Sequence, residues 1–436
     1  MSWNPFNKTV LTINSAFIDT NLYDFPLTVT VASGVGINEY NLTSVLDELA
    51  YVDRKKIAFF AGGDQYSGQQ CYVEIEHWDS NKAILHVQIP TISSGTDTII
   101  NFYYDSTQDN NVVYVGDLDE GAAQSVWDSD FEAVYHMNQD PSGGAGAIKD
   151  STTNINHGTP EGSMTGDDLV DGKVGQCLDF DGLSTTGGDR IALGNIQGGA
   201  TAFTWELIVS STQSIDDGNY YQLPVMIGTN QASGGSGDAL FCVKLGNVAW
   251  FDEIGGGSTD TGQSISDGNW YHLAVTRNGT AIKIFKNGLK IDDITTGAGG
   301  INSLGIDICG ANWTSNRHFG GLVDEVRFSN VARPDAWVKA TYYSTFDTLI
   351  TYSLGAAYYF DGYVTELESP VVRTVRAYRR DTGELMDETT SSGIGGYYYL
   401  ETTYSGMHYL LCLDDITIGD TYNALIYDLM LPTISG

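Results

Sequence analysis

Short runs in which apolar and polar residues alternate, broken by Gly, Asp, Ser and Asn, constrain this chain more than any other feature. Leu27-Thr28-Val29-Thr30-Val31 is such a run. So are Cys71-Tyr72-Val73-Glu74-Ile75-Glu76, Ala83-Ile84-Leu85-His86-Val87-Gln88-Ile89 and the stretch from Thr98 to Tyr104. A period of two over about 5–7 residues sends alternate side chains to opposite faces and predicts half-buried antiparallel strands. The pattern resumes beyond Val126-Trp127, with Gln176 to Phe180, Arg190 to Leu193, Phe203 to Val209, Ala239 to Leu245, Trp270 to Arg277, Ala281 to Lys286 and Leu322 to Ser329. Asn278-Gly279 lies between two of these runs and is the strongest hairpin signal in the chain. Helix is predicted only for Ser44 to Leu49 and for a short piece opened by Pro334 and ending near Tyr343. From about residue 355 a new set of short strands follows: Val371 to Arg380, Gly396 to Thr402, His408 to Asp414 and Tyr422 to Asp428. The fold class is therefore all-β. A length of 436 residues, at roughly 150 per domain, suggests three units, placed by the pattern at 1–118, 119–354 and 355–436. Each reads as a sandwich or jelly roll. No long linker separates them, so close packing is expected.

The chain carries 21 Lys+Arg and 55 Asp+Glu, a formal net charge of −34. Only 17% of its residues are charged, against about 25% in an average soluble protein, so bases are missing rather than acids in excess. Such a chain has no basic footprint for a nucleic-acid backbone. No run of about 18 apolar residues is present to span a membrane as a helix, and 42% hydrophobic residues is too many for global disorder. The N-terminal Met1-Ser2-Trp3-Asn4-Pro5-Phe6 lacks the basic and apolar regions of a signal peptide, yet the Gly-, Thr-, Ser- and Tyr-rich composition is that of an extracellular protein. Either a leader has been removed, or the protein reaches the outside by cell lysis, as virion proteins do. The five cysteines, Cys71, Cys177, Cys242, Cys309 and Cys412, show no metal-binding spacing; buried free thiols are expected.

Three resemblances follow from specific residues. Residues 1–118 resemble a β-sandwich domain of unknown function that precedes laminin-G-like domains in bacterial and archaeal surface proteins. Phe25-Pro26-Leu27, the string Tyr72-Val73-Glu74-Ile75-Glu76-His77-Trp78-Asp79 and Phe102-Tyr103-Tyr104 carry that likeness. Residues 126–354 resemble the concanavalin A-like, laminin-G-type jelly roll. The carrying residues are Lys149-Asp150-Ser151, Asn156-His157-Gly158, Leu178-Asp179-Phe180-Asp181-Gly182, Trp270 to Thr276, Lys286-Asn287-Gly288 and Gly321 to Arg333. Residues 355–436 resemble a transthyretin-like or carboxypeptidase-regulatory-like module found at the ends of tailed-phage virion proteins, through Arg379-Arg380-Asp381-Thr382-Gly383-Glu384 and Tyr422 to Asp428.

These resemblances imply a non-enzymatic virion structural protein: a tail tip, a tail fibre or a capsid decoration. It would be present in many copies or as a homo-oligomer, contacting other virion proteins and host-surface glycans. The alternatives are a secreted bacterial or archaeal lectin-like adhesin and, at low weight, a polysaccharide-degrading enzyme. A glycosidase needs two carboxylates flanking the scissile bond. Glu74, Glu76 and Asp79 have a suggestive spacing but read as a solvated strand face. Asp324 and Glu325 are adjacent, so a regular strand sends them to opposite faces. The laminin-G-like resemblance implies a structural calcium ion held by Asp150 and Asp324, since hard cations take oxygen ligands. For sugar binding, Trp313 with Asn312, Asn316 and His318 is the leading candidate, and Trp250 and Tyr220-Tyr221 are further ones. All four bases of the third unit, Arg373, Arg376, Arg379 and Arg380, fall in one segment, while its acids number 12. A regular strand there places Arg376, Tyr378 and Arg380 on one face. Since interfaces favour Arg and Tyr over Lys, Arg373, Arg376, Tyr378 and Arg380 form a candidate subunit-docking face. Local neutralisation of nearby acids is the simpler reading.

Overall fold

The computed structural model describes residues 3, 7–65, 67–183, 187–215, 222–230, 236–311, 318–354, 358–366, 369–393, 395–402, 404, 406–413 and 425–434. It is nearly all-β. In the first unit a five-stranded sheet has the order Ile350–Leu354, Lys8–Ile13, Thr98–Tyr104, Ile57–Ala61 and Gln69–Gln70. A four-stranded sheet has the order Val115–Asp117, Val73–Trp78, Ala83–Ile92 and Leu22–Val31. The apolar members of the alternating runs, Leu27, Val29, Leu85, Val87, Ile100 and Phe102 among them, close into one core between the sheets. The strand Ile350–Leu354, which the sequence grouped with residues 119–354, pairs antiparallel with Lys8–Ile13 from Ile13↔Ile350 to Thr9↔Leu354. It completes the first unit's sheet.

The second unit is a jelly roll. One sheet runs Leu169–Asp171, Gln176–Asp181, Gly320–Ser329, Ala202–Ser210, Trp270–Asn278, Ala281–Lys286 and Leu289–Thr295, with Phe131–Tyr135 also paired to Gly320–Ser329. The facing seven-stranded sheet centres on Ile306–Ile308, Val225–Thr229 and Ala239–Lys244. Between the sheets lie Phe180, Trp205, Leu207, Phe241, Trp250, Val275 and Phe328. The hairpin signalled by Asn278-Gly279 forms, one residue out of step: Asn278 pairs with Ala281, leaving Gly279 and Thr280 in the loop with Gly279 at φ +62°, the glycine placement of a type II′ turn. The next hairpin has Asn287 and Gly288 in its loop, both at positive φ, as a type I′ turn demands.

The third unit has a sheet of Tyr397–Thr402, Tyr358–Tyr363 and Thr433–Ile434 and another of Leu385–Thr390, Thr374–Arg379, His408–Leu413 and Leu425–Met430. Its small core contains Phe360, Val375, Ala377, Leu400 and Leu410. All five cysteines are free thiols, and four of them are buried. Among the described residues no helix is long and apolar enough to cross a membrane.

The first unit and the jelly roll are fused rather than tethered. Helix Asp335–Thr345 follows the last jelly-roll strand and lies across the boundary. Trp337 and Ala340 enter the first unit's core, where Trp337 meets Phe25 with ring centroids 5.0 Å apart. Val338 packs on Ala274 and Phe285 of the jelly roll. Ile84 of the first unit packs with Val174 and Ile208 of the second. The four-stranded sheet of the first unit and the sheet containing Gly320–Ser329 are therefore covered on both faces, which governs what their polar residues can do.

Candidate functional site

At one end of the jelly roll three neighbouring strands finish together, and their ends line an open cleft of about 410 Å³. Its walls include Asp179, Asp181, Ser211, Thr212, Gln213 and Gly321. Glycine is required here because two backbones converge. A Cβ on Gly182 would lie 2.6 Å from the Cα of Gly320, and one on Gly321 would lie 2.4 Å from the Ser210 carbonyl oxygen. Ser211 Oγ donates to the Gly320 carbonyl (2.6 Å), and Gln213 both accepts from the Gly320 amide (3.1 Å) and donates to the His318 carbonyl (3.2 Å). Asp181 Oδ1 accepts the amides of Leu183 and Asp189. The rim is thereby rigid, and the exposed Asp179, Asp181 and Thr212 face solvent with hydrogen-bonding capacity to spare. Burial, reinforced by the charges of Asp168 and Asp181, raises the Asp179 pKa.

Of the residues the sequence offered for sugar binding, Asn312, Trp313, Asn316, Tyr220 and Tyr221 lie outside the described residues. His318 borders the cleft through its backbone, but its ring is buried, with Nδ1 3.3 Å from the Asp189 carbonyl oxygen. Burial lowers its pKa. Trp250 is a core residue whose Nε1 donates to Asp252 (2.9 Å), so it offers no face to a sugar.

Of the two carboxylates expected to hold calcium, Asp150 does not fit that ion. Asp150 is buried, and both its oxygens are occupied by donors: Oδ1 accepts from the Val134 and Thr152 amides, and Oδ2 from Thr152 Oγ1 and the Asn156 amide. N–H and O–H groups stand where a cation would have to sit, so Asp150 is the organiser of its loop. Asp324 is buried in the boundary between the first unit and the jelly roll, with Oδ2 accepting from the Val174 amide (2.7 Å) and Oδ1 without a hydrogen-bond partner.

In the third unit the alternation holds. Val375 and Ala377 are buried while Arg376 and Tyr378 face outward. Arg376 pairs with Glu388, Arg380 with Asp428 and Arg379 with Asp381. The Arg373 guanidinium donates to the Val372 carbonyl (2.9 Å). Local neutralisation accounts for Arg376 and Arg380 as placed.

The largest departure from the sequence reading concerns Glu74 and Glu76. Their side chains are not solvated; they are inaccessible, at 1% and 0% exposure. The polar face of Val73–Trp78 and Ala83–Ile92 meets the outer face of the jelly roll, and seven polar or charged side chains collect there. Glu76 Oε2 and His86 Nε2 are 2.8 Å apart. His136 lies between carboxylates, with Nδ1 against Glu325 Oε1 and Nε2 3.4 Å from Glu74 Oε2. Arg327 clasps Glu325 Oε2 through Nε and Nη2 (3.2 and 2.6 Å), and Trp127 Nε1 donates to Glu74 Oε2 (2.6 Å). Asp324 adjoins the group; burial and the Glu325 charge raise its pKa. Regular alternation would separate Asp324 from Glu325. The pairing register shifts here and Glu325 takes φ +48°, so both are buried toward Glu76 of the first unit. Burial alone would lower the His136 pKa, but Glu325, Glu74 and Glu76 hold it well above its usual value. Burial raises Glu76 and lowers His86. Burial would also raise Glu325, but His136 and Arg327 hold it well below the carboxylate range. No polymer can reach these groups, which removes Glu74 and Glu76 as a glycosidase pair.

Residues 185–339 match a laminin G family described as the Concanavalin A-like lectin/glucanases superfamily, in agreement with the observed jelly roll. No curated protein matches the chain. Among solved structures, domain 4 of AbnA, a GH43 extracellular arabinanase from Geobacillus stearothermophilus in complex with arabinotriose, is similar at 20% identity and a TM-score of 0.37, over 48% of this chain and 97% of that one. The binding domain of Paraclostridial Mosquitocidal Protein 1 is similar at 14% identity and a TM-score of 0.36, over 69% and 75%. The CBM40 of a Ruminococcus gnavus IT-sialidase is similar at 12% and 0.28, over 33% and 83%. These scores are too low to carry a binding site from one chain to another.

Proposed function

We propose that this is a non-catalytic glycan-binding structural protein whose jelly roll holds sugar hydroxyls in the cleft of Asp179, Asp181, Thr212 and Gln213. The observation that carries the reading is the cleft itself: carboxylates, a hydroxyl and an amide around a rigid glycine-lined floor, open to solvent. The family match over residues 185–339 supports it. An open cleft of this kind binds weakly per copy, and many copies on one surface raise avidity without new contacts. We place it in a virion, with an extracellular adhesin as the alternative, on the resemblance of residues 355–436 to phage terminal modules. Arg376 and Arg380, on one face with Tyr378, can exchange Glu388 and Asp428 for the acids of a neighbouring subunit.

A glycan array probed with the intact protein displayed on beads tests the reading, alongside a reducing-sugar assay on a polysaccharide panel. Binding without hydrolysis is expected. Hydrolysis lost on Asp179→Asn or Asp181→Asn would replace the proposal with a glycosidase, since those two carboxylates sit at alternating positions of one strand end. Binding to no glycan at bead avidity would overturn it.

A further inference from the structure

The charge cluster buried between the first unit and the jelly roll plays no part in the cleft. Four of its members, Glu76 and His86 from the first unit and His136 and Glu325 from the second, each offer one ligand atom, and these atoms all lie within 4.8 Å of one another. Around a tetrahedral zinc ion with bonds of about 2.0–2.1 Å, ligand atoms sit about 3.4 Å apart. The separations here bracket that figure: 2.8 Å for His86 Nε2 to Glu76 Oε2, 3.7 Å for His136 Nδ1 to Glu76 Oε2, and 4.0 Å for His86 Nε2 to Glu325 Oε1.

Two further observations point to a missing cation. Glu76 Oε1 and Glu74 Oε1 are buried without a hydrogen-bond partner, and an unmatched buried carboxylate is costly unless an ion or proton compensates it. The cluster holds four carboxylates, Glu74, Glu76, Asp324 and Glu325, against one guanidinium, Arg327, and the imidazoles of His86 and His136. The ligands are also held from behind, as metal ligands usually are. His86 Nδ1 lies 3.3 Å from Thr28 Oγ1, which turns Nε2 toward Glu76 and the proposed metal. His136 Nε2 faces Glu74, itself fixed by Trp127. Arg327 takes Glu325 Oε2 and turns Oε1 inward.

We propose that Glu76, His86, His136 and Glu325 bind one divalent transition-metal ion of the zinc class, which locks the first unit to the jelly roll. Two imidazoles and two carboxylates suit zinc, cobalt or iron(II) better than calcium. The two rings now stack with centroids 4.5 Å apart; binding displaces the protons shared with Glu325 and Glu76 and tilts the rings toward a common point. The site has no open position, so the ion is structural and enters as the units fold together.

The test is metal analysis of the intact protein purified without chelator from cells grown in zinc- or cobalt-supplemented medium. About one equivalent per chain is expected, with visible d–d absorption for the cobalt form. Metal-loaded protein should melt about 5–6 °C above protein prepared with chelator, for an ion at about a thousandfold its Kd. His136→Asn should abolish the bound equivalent. Should that variant fail to fold, Thr28→Val decides: it keeps all four ligands but should lose metal to a competing chelator about 10–100-fold more readily. Background metal content in folded wild-type protein from both media would overturn the proposal, as would full metal content in folded His136→Asn.

Discussion

Replacing Trp337 by alanine tests whether the first unit and the jelly roll are one cooperative body. The indole is 4% exposed, stacks edge-on with Phe25 and carries the Arg333 guanidinium 4.1 Å above its ring. It belongs by sequence to the end of the jelly roll and by packing to the first unit's core. Truncating a buried Trp to Ala costs about 3–5 kcal/mol. If residues 7–354 unfold together, roughly 350 residues at about 2.1 cal/mol/K each give an unfolding entropy of about 0.7 kcal/mol/K, so a loss of about 4 kcal/mol lowers Tm by about 5–6 °C. If the first unit of roughly 100 residues unfolded alone, the same loss would lower its own transition by about 20 °C and leave the jelly roll untouched. Differential scanning calorimetry of wild type and Trp337→Ala separates the two cases. One transition for residues 7–354, moved by about 5–6 °C, is expected. A first-unit transition lowered by about 20 °C while the jelly-roll transition stays in place would refute the shared core.

Other expectations follow from buried charges. Burial pushes Asp307 up to about 6 from 3.8, and Arg190 Nε, 3.1 Å away, offsets this only partly. The folded chain thus binds this proton more tightly than the unfolded chain. The contribution to stability is full below about 3.8 and is lost, by about 3 kcal/mol, as pH rises through about 6. Urea unfolding at pH 4 and pH 7 should show wild type losing more stability over that interval than Asp307→Asn; parallel losses would contradict the assignment. Arg327→Met leaves Glu325 buried without its guanidinium, and breaking a buried pair this way costs about 3–5 kcal/mol. Denaturant midpoints should fall accordingly, and an unchanged midpoint would show that the pair contributes nothing.

Much of the fold was legible because a period of two is a local property. Leu27, Val29, Leu85 and Val87 alternate in the sequence and alternate into the core. The Asn-Gly and Asn287-Gly288 signals mark real hairpins because only certain residues tolerate their backbone angles. What alternation does not say is what covers the other face. It marked Glu74, Glu76 and His86 as polar-face residues, and water was the simplest occupant of that side; a second sheet with its own acids, histidine and arginine is there instead. The bulges near His77 and Glu325 also re-aim side chains that regular strand geometry would separate. Of the cluster, sequence held one signal: two glutamates and a histidine on the polar faces of adjacent strands, Glu74-Ile75-Glu76 beside His86. Their partners His136, Glu325 and Arg327 come from 50 or more residues away along the chain, and only the packing of two units joins them. Strand Ile350–Leu354 was misplaced for the same reason, since its partner Lys8–Ile13 lies at the other end of the chain. The laminin-G-like resemblance implies calcium at Asp150, while the amides that occupy its carboxylate cannot be seen in residue names.

Calorimetric titration of the best-bound glycan into the intact protein and into Asp179→Ala/Thr212→Ala addresses the cleft most directly. Both side chains are exposed on its rim, so Tm should stay within about 1 °C, as for other surface substitutions. Removing two sugar-binding hydrogen-bonding groups at about 0.5–1.5 kcal/mol each should weaken binding about 5–150-fold. Equal affinity in wild type and the folded variant would contradict glycan binding at this cleft.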